Sequence, residues 1–274
     1  MAEKAILFDT TKCIACRACQ IACKQWNGLE GEHTTNRGTY ENPPDLSPQT
    51  WIKMRFTEVQ REGKVEWLFI RQSCMHCTDA ACVKVCPTKA LYHHELGMVA
   101  YKKDRCSGCG YCVDFCPFHV PRSDRNLITG VAKMDKCTMC TYPGLDRIAA
   151  GYEPACVKTC PPQALVYGDR SALLTEGRGR VAALQTKGFN HAYLYGEREL
   201  GGLHVVYVLD NSPKVYGLPD NPQVPAAATA WKDVIQPVGW VLGGLTILGL
   251  GLNFVIARKA KLARERELPE KKEK

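Results

Sequence analysis

The chain has 274 residues, with 23 Gly, 16 Pro, 16 Cys and a formal net charge of +8. So much turn-forming residue and so many thiols exclude an ordinary apolar-cored globule, and they make bound metal a large part of what folds the chain. The basic excess leaves three readings open: nucleic acid, an acidic membrane surface, or anions held inside the protein.

Residues 1–30 carry Cys13, Cys16, Cys19 and Cys23, with Ile14, Ala18, Ile21 and Ala22 as a short helical stripe among them. Asn42, Pro43, Pro44 and Pro48 mark a loop. Residues 50–59 and 64–70 alternate as a hairpin that turns at Arg61, Glu62 and Gly63, so 31–73 read as a loop and β-hairpin insertion. Residues 74–118 then hold two further sets, Cys74, Cys77, Cys82, Cys86 and Cys106, Cys109, Cys112, Cys116, as a compact repeat. The last set is Cys137, Cys140, Cys156 and Cys160, with an inserted loop between its pairs.

The spacing predicts a helix over 171–188, with Leu173, Leu174, Val181 and Leu184 inward, Arg178 and Arg180 exposed, and Gly177 and Gly179 as weak points. A strand is expected over 204–209, and Pro213, Pro219, Pro222 and Pro225 suggest an extended linker. Residues 237–257 contain no charge and are long enough to cross a bilayer core as a helix. Pro237 suits a first helical turn, Trp231 and Trp240 suit an interfacial belt, and Gly239 and Gly243 allow close approach of another membrane helix. Arg258, Lys259, Lys261, Arg264 and Arg266 follow at once, and the positive-inside rule places them in the cytoplasm. The cysteine-bearing part then faces the periplasm or exterior. Residues 1–10 show no secretory signal, so either the cysteine-bearing part is carried out bound to a partner that has one, which the flanking charges favour, or it stays inside.

The cysteines carry the chemistry. They form four sets of four with none left over, and three sets continue into Pro87, Pro117 and Pro161. Two sets follow C-x2-C-x2-C-x3-C, and the third of the four runs on into Cys-Pro, the bacterial ferredoxin pattern for 4Fe–4S clusters in which the fourth cysteine serves the neighbouring cluster. Gly108 and Gly110 suit a backbone that turns sharply beside cofactor sulfurs. Structural zinc combines two C-x2-C pairs around one ion, which only the last set resembles, and disulfide frameworks belong mainly to small secreted domains. His76 and His119 adjoin these runs in packing or hydrogen-bonding roles, since the thiolate sets are complete without them. Clustered thiolates also account for the basic excess, because Lys12, Arg17, Lys24, Lys84, Lys89, Lys102, Lys103, Arg105, Lys133, Lys136 and Lys158 lie close in sequence to them. A nucleic-acid footprint is the weaker reading.

Several segments together resemble the iron-sulfur (beta) subunit of membrane-bound respiratory formate dehydrogenase. They are CMHC from Cys74, CSGCGYC from Cys106, CPF from Cys116, KCTMC from Lys136, EPACVKTCP from Glu153, GTYENPPDL from Gly38, EWL from Glu66, GGLHV from Gly201, and the terminal span. The resemblance implies an α+β fold of tandem bacterial-ferredoxin-like dicluster domains, with loop and hairpin insertions and one C-terminal transmembrane helix. One domain is discontinuous, 1–30 with 119–170, and the other is 74–118. Residues 171–230 form a helix and strand extension with a linker, 231–257 an anchor, and 258–274 a basic cytoplasmic tail.

It also implies a non-catalytic electron-transfer subunit with four 4Fe–4S clusters. The expected ligand sets are Cys13, Cys16, Cys19 with Cys160; Cys137, Cys140, Cys156 with Cys23; Cys74, Cys77, Cys82 with Cys116; and Cys106, Cys109, Cys112 with Cys86. The implied partners are a molybdopterin catalytic subunit with molybdenum or tungsten, a membrane cytochrome b that reduces quinone, and the inner-membrane bilayer, with no nucleic acid. A hydrogenase or another molybdopterin oxidoreductase is the alternative partner, and a soluble polyferredoxin the alternative class. The first set departs from the others by having Lys24 where they have Pro, which bears on how the chain leaves Cys23.

Overall fold

Two apolar runs without alternation, KAILFD and VVYVL, become adjacent parallel strands at the centre of a four-stranded sheet. The architecture comes from a computed structural model that describes residues 2–61, 63–123, 132–141 and 146–267. Two units divide the chain, Met1–Ala228 and Thr229–Lys274.

In chain order the first unit contains β1 (Lys4–Asp9), α1 (Ala18–Trp26), β2 (Lys53–Arg61), β3 (Lys64–Gln72), α2 (Ala81–Lys84), β4 (Leu91–His93), β5 (Val99–Tyr101), α3 (Tyr111–Asp114), β6 (Arg122–Ser123), β7 (Met134–Asp135), α4 (Ala155–Lys158), β8 (Leu165–Asp169), α5 (Arg170–Gln185), β9 (Tyr193–Tyr195) and β10 (Val205–Leu209). The main sheet has the order β8-β1-β10-β9, with β1 parallel to β10 and antiparallel to β8. Successive side chains of a strand face opposite sides. Ala5, Leu7, Val206 and Val208 therefore meet Leu173, Leu174 and Leu184 of α5, while Ile6, Phe8, Val205, Tyr207 and Leu209 face a core that includes Cys19, Cys23, Cys74, Cys137 and Cys156. Burial on both faces removes the polar alternation that marks a half-exposed strand. That is why residues 4–9 show no strand period in the sequence, whereas Leu165–Asp169 is mostly half-buried and owes its strand to pairing with β1.

The expected helix is present as α5, with Leu173, Leu174 and Leu184 buried and Val181 half-buried. Gly177 is a packing position rather than a weak point, since a Cβ there would lie 2.6 Å from a methyl of Leu194. Arg180 is not simply solvated: its Nε donates to Asp9 at 2.8 Å and ties α5 to the end of β1. The hairpin of β2 and β3 pairs from Lys53↔Gln72 to Arg61↔Lys64; Glu62 of the expected turn lies outside the described residues. Residues 213–225 are not an extended linker. Pro213–Tyr216 forms a 3-10 turn, Tyr216 is buried, and Val215, Leu218 and Val224 pack on the core, because apolar residues lie between the prolines.

The second unit is helical. Helix begins at Ala226 as α6 (Ala226–Ala230), widens into a π turn over Trp231–Ile235, and continues as α7 (Gln236–Glu267). Pro237 is thus interior to the helix, not in its first turn. A proline ring clashes with the carbonyl four residues earlier, here Asp233, and the wider turn sits where that clash would fall. The helical run Ala226–Arg264 is long and apolar enough to cross a membrane, and its most apolar window is wholly unburied. Arg258, Lys259, Lys261 and Arg264 lie on its last turns; the side chain of Arg266 and residues 268–274 lie outside what is described.

Candidate metal centres

Each cysteine set opens on the same backbone turn. The residue just before the second cysteine is left-handed in all four: Ala15 at φ 54°, His76 at 49°, Gly108 at 74° and Met139 at 54°. That conformation is costly for a residue with a Cβ, so its fourfold use at one position marks a constraint the surroundings enforce. Its effect is to aim an N–H back at the first sulfur. Ala15 and Met139 donate to Cys13 and Cys137 at 3.4 Å, and the N–H groups of His76 and Gly108 donate to Cys74 and Cys106. Such bonds favour the thiolate over the thiol.

Short helices then carry the later cysteines inward, and their ends differ as the sequence differs. α2, α3 and α4 stop before Cys86, Cys116 and Cys160, and three residues beyond each of these a left-handed residue follows: Lys89, His119 and Gln163 at φ 53°, 49° and 50°. The proline after each fourth cysteine cannot continue a helix. Where Lys24 replaces it, α1 runs on to Trp26 and buries Cys19, Gln20 and Cys23. The helical stripe expected here is realised from Ala18 onward, with Ala18 and Ala22 half-buried. Ile14 and Ile21 are 62% and 56% exposed, because the cysteine face takes the interior.

Mutual charge effects show which thiols are neighbours. Cys13 is influenced by Cys160 and Cys16; Cys19 by Cys156, then Cys13 and Cys16; Cys23 by Cys137, Cys156 and Cys140. Cys77 faces Cys74, Cys82 and Cys116, and Cys112 faces Cys109, Cys106 and Cys86. These effects associate Cys13 with Cys160, Cys23 with Cys137, Cys140 and Cys156, Cys77 with Cys116, and Cys112 with Cys86, and others run between these groups. Cys19 beside Cys156, Cys74 beside Cys137, and Cys82 beside Cys112 link the groups into a row. Only Cys16, in the first group, and Cys109, in the last, are exposed.

Burial dominates the electrostatics. It pushes the thiols of Cys13 up to about 11 and of Cys19, Cys112 and Cys140 up to about 12, with neighbouring thiols adding to the rise. Cys106 is the exception: burial opposes its charge, but the Met134 and Gly108 backbone N–H groups, with the Tyr101 hydroxyl nearby, hold it below the usual thiol range. His76 is fully buried with neither ring nitrogen hydrogen-bonded, and burial, then Lys136 and His204, push its pKa well down.

Two buried cations also stand among the thiols. Lys136 Nζ donates to the carbonyls of Val99 and Cys137, at 2.8 and 2.9 Å. Arg71 was not singled out from the sequence, because a cation at the end of a hairpin strand reads as solvated. Its position three residues before Cys74 was the available signal.

These sites fit iron-sulfur clusters. Among the described residues no three His, Cys, Asp or Glu side chains converge as ligands of a single ion. A zinc site needs its thiolates about 2.3 Å from one point, whereas a cubane spreads them over its corners. A cavity is bounded by Cys86, Cys106, Cys109 and Cys112 and walled by Leu91 and Met134. Buried thiols that repel one another hold their protons until a metal displaces them.

The comparisons agree. Residues 65–170 match one 4Fe–4S dicluster domain family and residues 12–90 match another. The formate dehydrogenase-O iron-sulfur subunit of Escherichia coli (strain K12) is 42% identical over 243 residues, 87% of this chain and 78% of that protein. The nitrate-inducible formate dehydrogenase iron-sulfur subunit of the same strain is 40% identical over 258 residues, 93% of this chain and 85% of that protein. The hydrogenase-2 operon protein HybA of Escherichia coli O157:H7 is 32% identical, over 89% of this chain and 83% of that protein. With two dicluster domains, sixteen cysteines that fit four 4Fe–4S clusters, and these identities over most of both chains, this protein belongs to the iron-sulfur, electron-transfer subunits of the formate dehydrogenase family.

Proposed function

We propose that the chain conducts electrons between a molybdopterin subunit that oxidises formate and a membrane cytochrome b subunit that reduces quinone. The observation that carries this is the row of four thiol groups, buried or half-buried except at Cys16 and Cys109, which are exposed. A conductor needs one exposed terminus for each partner and an insulated middle.

The ligand sets we assign are Cys13, Cys16, Cys19, Cys160; Cys23, Cys137, Cys140, Cys156; Cys74, Cys77, Cys82, Cys116; and Cys86, Cys106, Cys109, Cys112, in that order along the row. The neighbour relations among the thiols support each set. They also favour pairing 1–30 with 119–170 as one dicluster domain and 74–118 as the other. A bound 4Fe–4S cluster supplies one-electron storage, tuned by hydrogen bonds, charge and solvent access. The chain's own part is to hold the thiolates, to direct the N–H groups of Ala15, His76, Gly108 and Met139 at their sulfurs, and to exclude water with the two-sided core. No side chain here makes or breaks a substrate bond.

We assign the helical run from Ala226 to a single membrane span, which its unburied apolar window supports over a core helix in a soluble polyferredoxin. The basic residues on its last turns favour a cytoplasmic C-terminus and a cluster domain on the opposite side. A hydrogenase in place of the formate-oxidising partner is the second reading, supported by the 32% identity to HybA. Anaerobic purification from membranes tests both: a molybdopterin protein and a b-type cytochrome should co-purify with an iron- and sulfide-containing chain. A nickel-containing partner would select the second reading, and a zinc-containing, colourless chain would end both.

A further inference from the structure

Arg71 ends inside the row of thiols. It is the next-to-last residue of β3, its side chain is 1% exposed, and among the described residues no ion pair includes it. Nη1 donates to Ser73 Oγ, Nη2 reaches Cys156 Sγ at 4.0 Å, and Nε has no partner. The Arg71 carbonyl accepts the Tyr207 hydroxyl at 2.6 Å, which fixes the strand end where the guanidinium leaves it. A lone guanidinium removed from water is strongly unfavourable unless an opposite charge lies beside it. The groups whose charge bears on it most are Cys156, whose sulfur it reaches, and Cys137, then Tyr207 and Cys19. These thiols supply negative charge only once they are thiolates.

We propose that Arg71 is the internal counter-ion of the second thiol group, Cys23, Cys137, Cys140 and Cys156, and that it raises the reduction potential of the cluster held there. The inference rests on the ligand sets proposed above. Each electron added to a thiolate-bound cluster adds negative charge, so a fixed cation in contact favours the reduced state over the oxidised one. Salt and water screen exposed cations but not this one. Arginine suits the task because it stays protonated in any such environment. Lys136, the other buried cation, bears on Cys74 and Cys82 of the third group; Arg71 also bears on Cys74, after Lys136, so its influence is centred on the second group and overlaps that of Lys136 at the third.

The test uses the intact complex with Arg71→Gln, which removes the charge, and Arg71→Lys, which keeps it. Iron and sulfide per chain are measured first, then the midpoint of each cluster by potentiometric EPR. The signal of the second group is identified as the one altered by Cys140→Ser. Arg71→Gln with full iron should shift that midpoint to lower potential while the others move less, and Arg71→Lys should restore most of it. Unchanged midpoints in a fully loaded Arg71→Gln complex, or an equal shift in Arg71→Lys, would overturn the proposal. Should Arg71→Gln lose iron, retention by Arg71→Lys supports the counter-ion, and loss by both makes the side chain's shape the requirement and overturns it. Failure of the ligand reading shows separately, as wild-type complex without four clusters or with a Cys140→Ser spectrum unchanged.

Discussion

Gly108 is the sharpest place to test the shared turn, since it takes the left-handed position that Ala15, His76 and Met139 occupy in the other sets. In Gly108→Ala two costs combine. An alanine at φ 74° carries a left-handed penalty of about 1 kcal/mol. The new Cβ would also lie 2.9 Å from the backbone N and O of Ala132, and backbone cannot swing aside as a side chain can, which adds about 1–3 kcal/mol of overpacking. The sum is about 2–4 kcal/mol, or a fall of about 5–15 °C in melting temperature for a unit of this size. The Gly108 N–H points at Cys106, so its displacement should also lower the midpoint of the cluster we assign to Cys86, Cys106, Cys109 and Cys112. Ala15→Gly is the control, because it removes a strained Cβ and leaves the N–H in place; its stability should stay within about 1 kcal/mol of wild type. Thermal melts of the loaded protein, followed by visible absorption, read both. A Gly108→Ala protein that melts with the wild type, or an Ala15→Gly protein destabilised as much as it, would refute the idea that this turn positions N–H groups under steric control.

Cys16→Ala, at the exposed end of the row, should remove or convert one cluster and stop formate-to-quinone electron flow while the catalytic subunit still reduces an artificial dye; full quinone coupling would count against the conductor. Gly177→Ala should destabilise by about 1–2 kcal/mol, overpacking against Leu194 exceeding the gain in helix propensity, whereas Gly179→Ala, with open space around it, should gain up to about 1 kcal/mol in chemical denaturation. The iron-free chain should lose stability as pH rises from about 9 towards 11 to 12. Its buried thiols of Cys13, Cys19, Cys112 and Cys140 keep protons that the unfolded chain releases near 9, so the folded state is favoured below that value and the advantage is lost as pH passes through the raised pKa values. Denaturant midpoints of the apo-protein across that range check the sign. A chain ended after Ala228 should leave the membrane fraction and keep its visible spectrum, as the division into two units implies.

The thiol groups were legible in the sequence because ligand spacing is local: C-x2-C and Cys-Pro each encode a turn within a few residues. The four-stranded sheet was mostly not. KAILFD is buried on both faces, so it lacks the period that betrays a strand, and its partner VVYVL lies at the far end of the unit. The stripe Ile14, Ala18, Ile21, Ala22 marked a helix, present as α1 from Ala18, but not the helix's buried face. Apolar periodicity marks the buried face only when no stronger claim on the interior exists, and on α1 the cysteines have that claim. Gly177 read as a flaw because a close approach to Leu194 is a tertiary fact. The prolines of 213–225 suggested extension, but Tyr216 and Leu218 between them had surface to bury.

The basic excess can now be divided by place, and the division changes what it means. Of the cations near cysteines in sequence, Lys12, Lys89, Arg105, Lys133 and Lys158 are exposed, where water and salt weaken them. Lys84 is taken by Asp79 at 2.5 Å, Lys103 by Asp135 at 2.6 Å and Lys24 by Glu32 at 3.5 Å. Lys102 lies over the Tyr92 ring, and Arg17 over that of Phe56. Only Lys136 is both near in sequence and fully buried, and Arg71 joins it from a strand that holds no cysteine. Proximity along the chain therefore overstates how many charges act on the thiol row. Net charge sets solubility and long-range attraction, but a redox centre responds to the few cations that neither carboxylate nor solvent has already claimed. Two such cations beside the middle groups, with none among the described residues equally buried at Cys16 or Cys109, would make the interior of the row the more favourable place for an electron and its exposed ends the places of exchange.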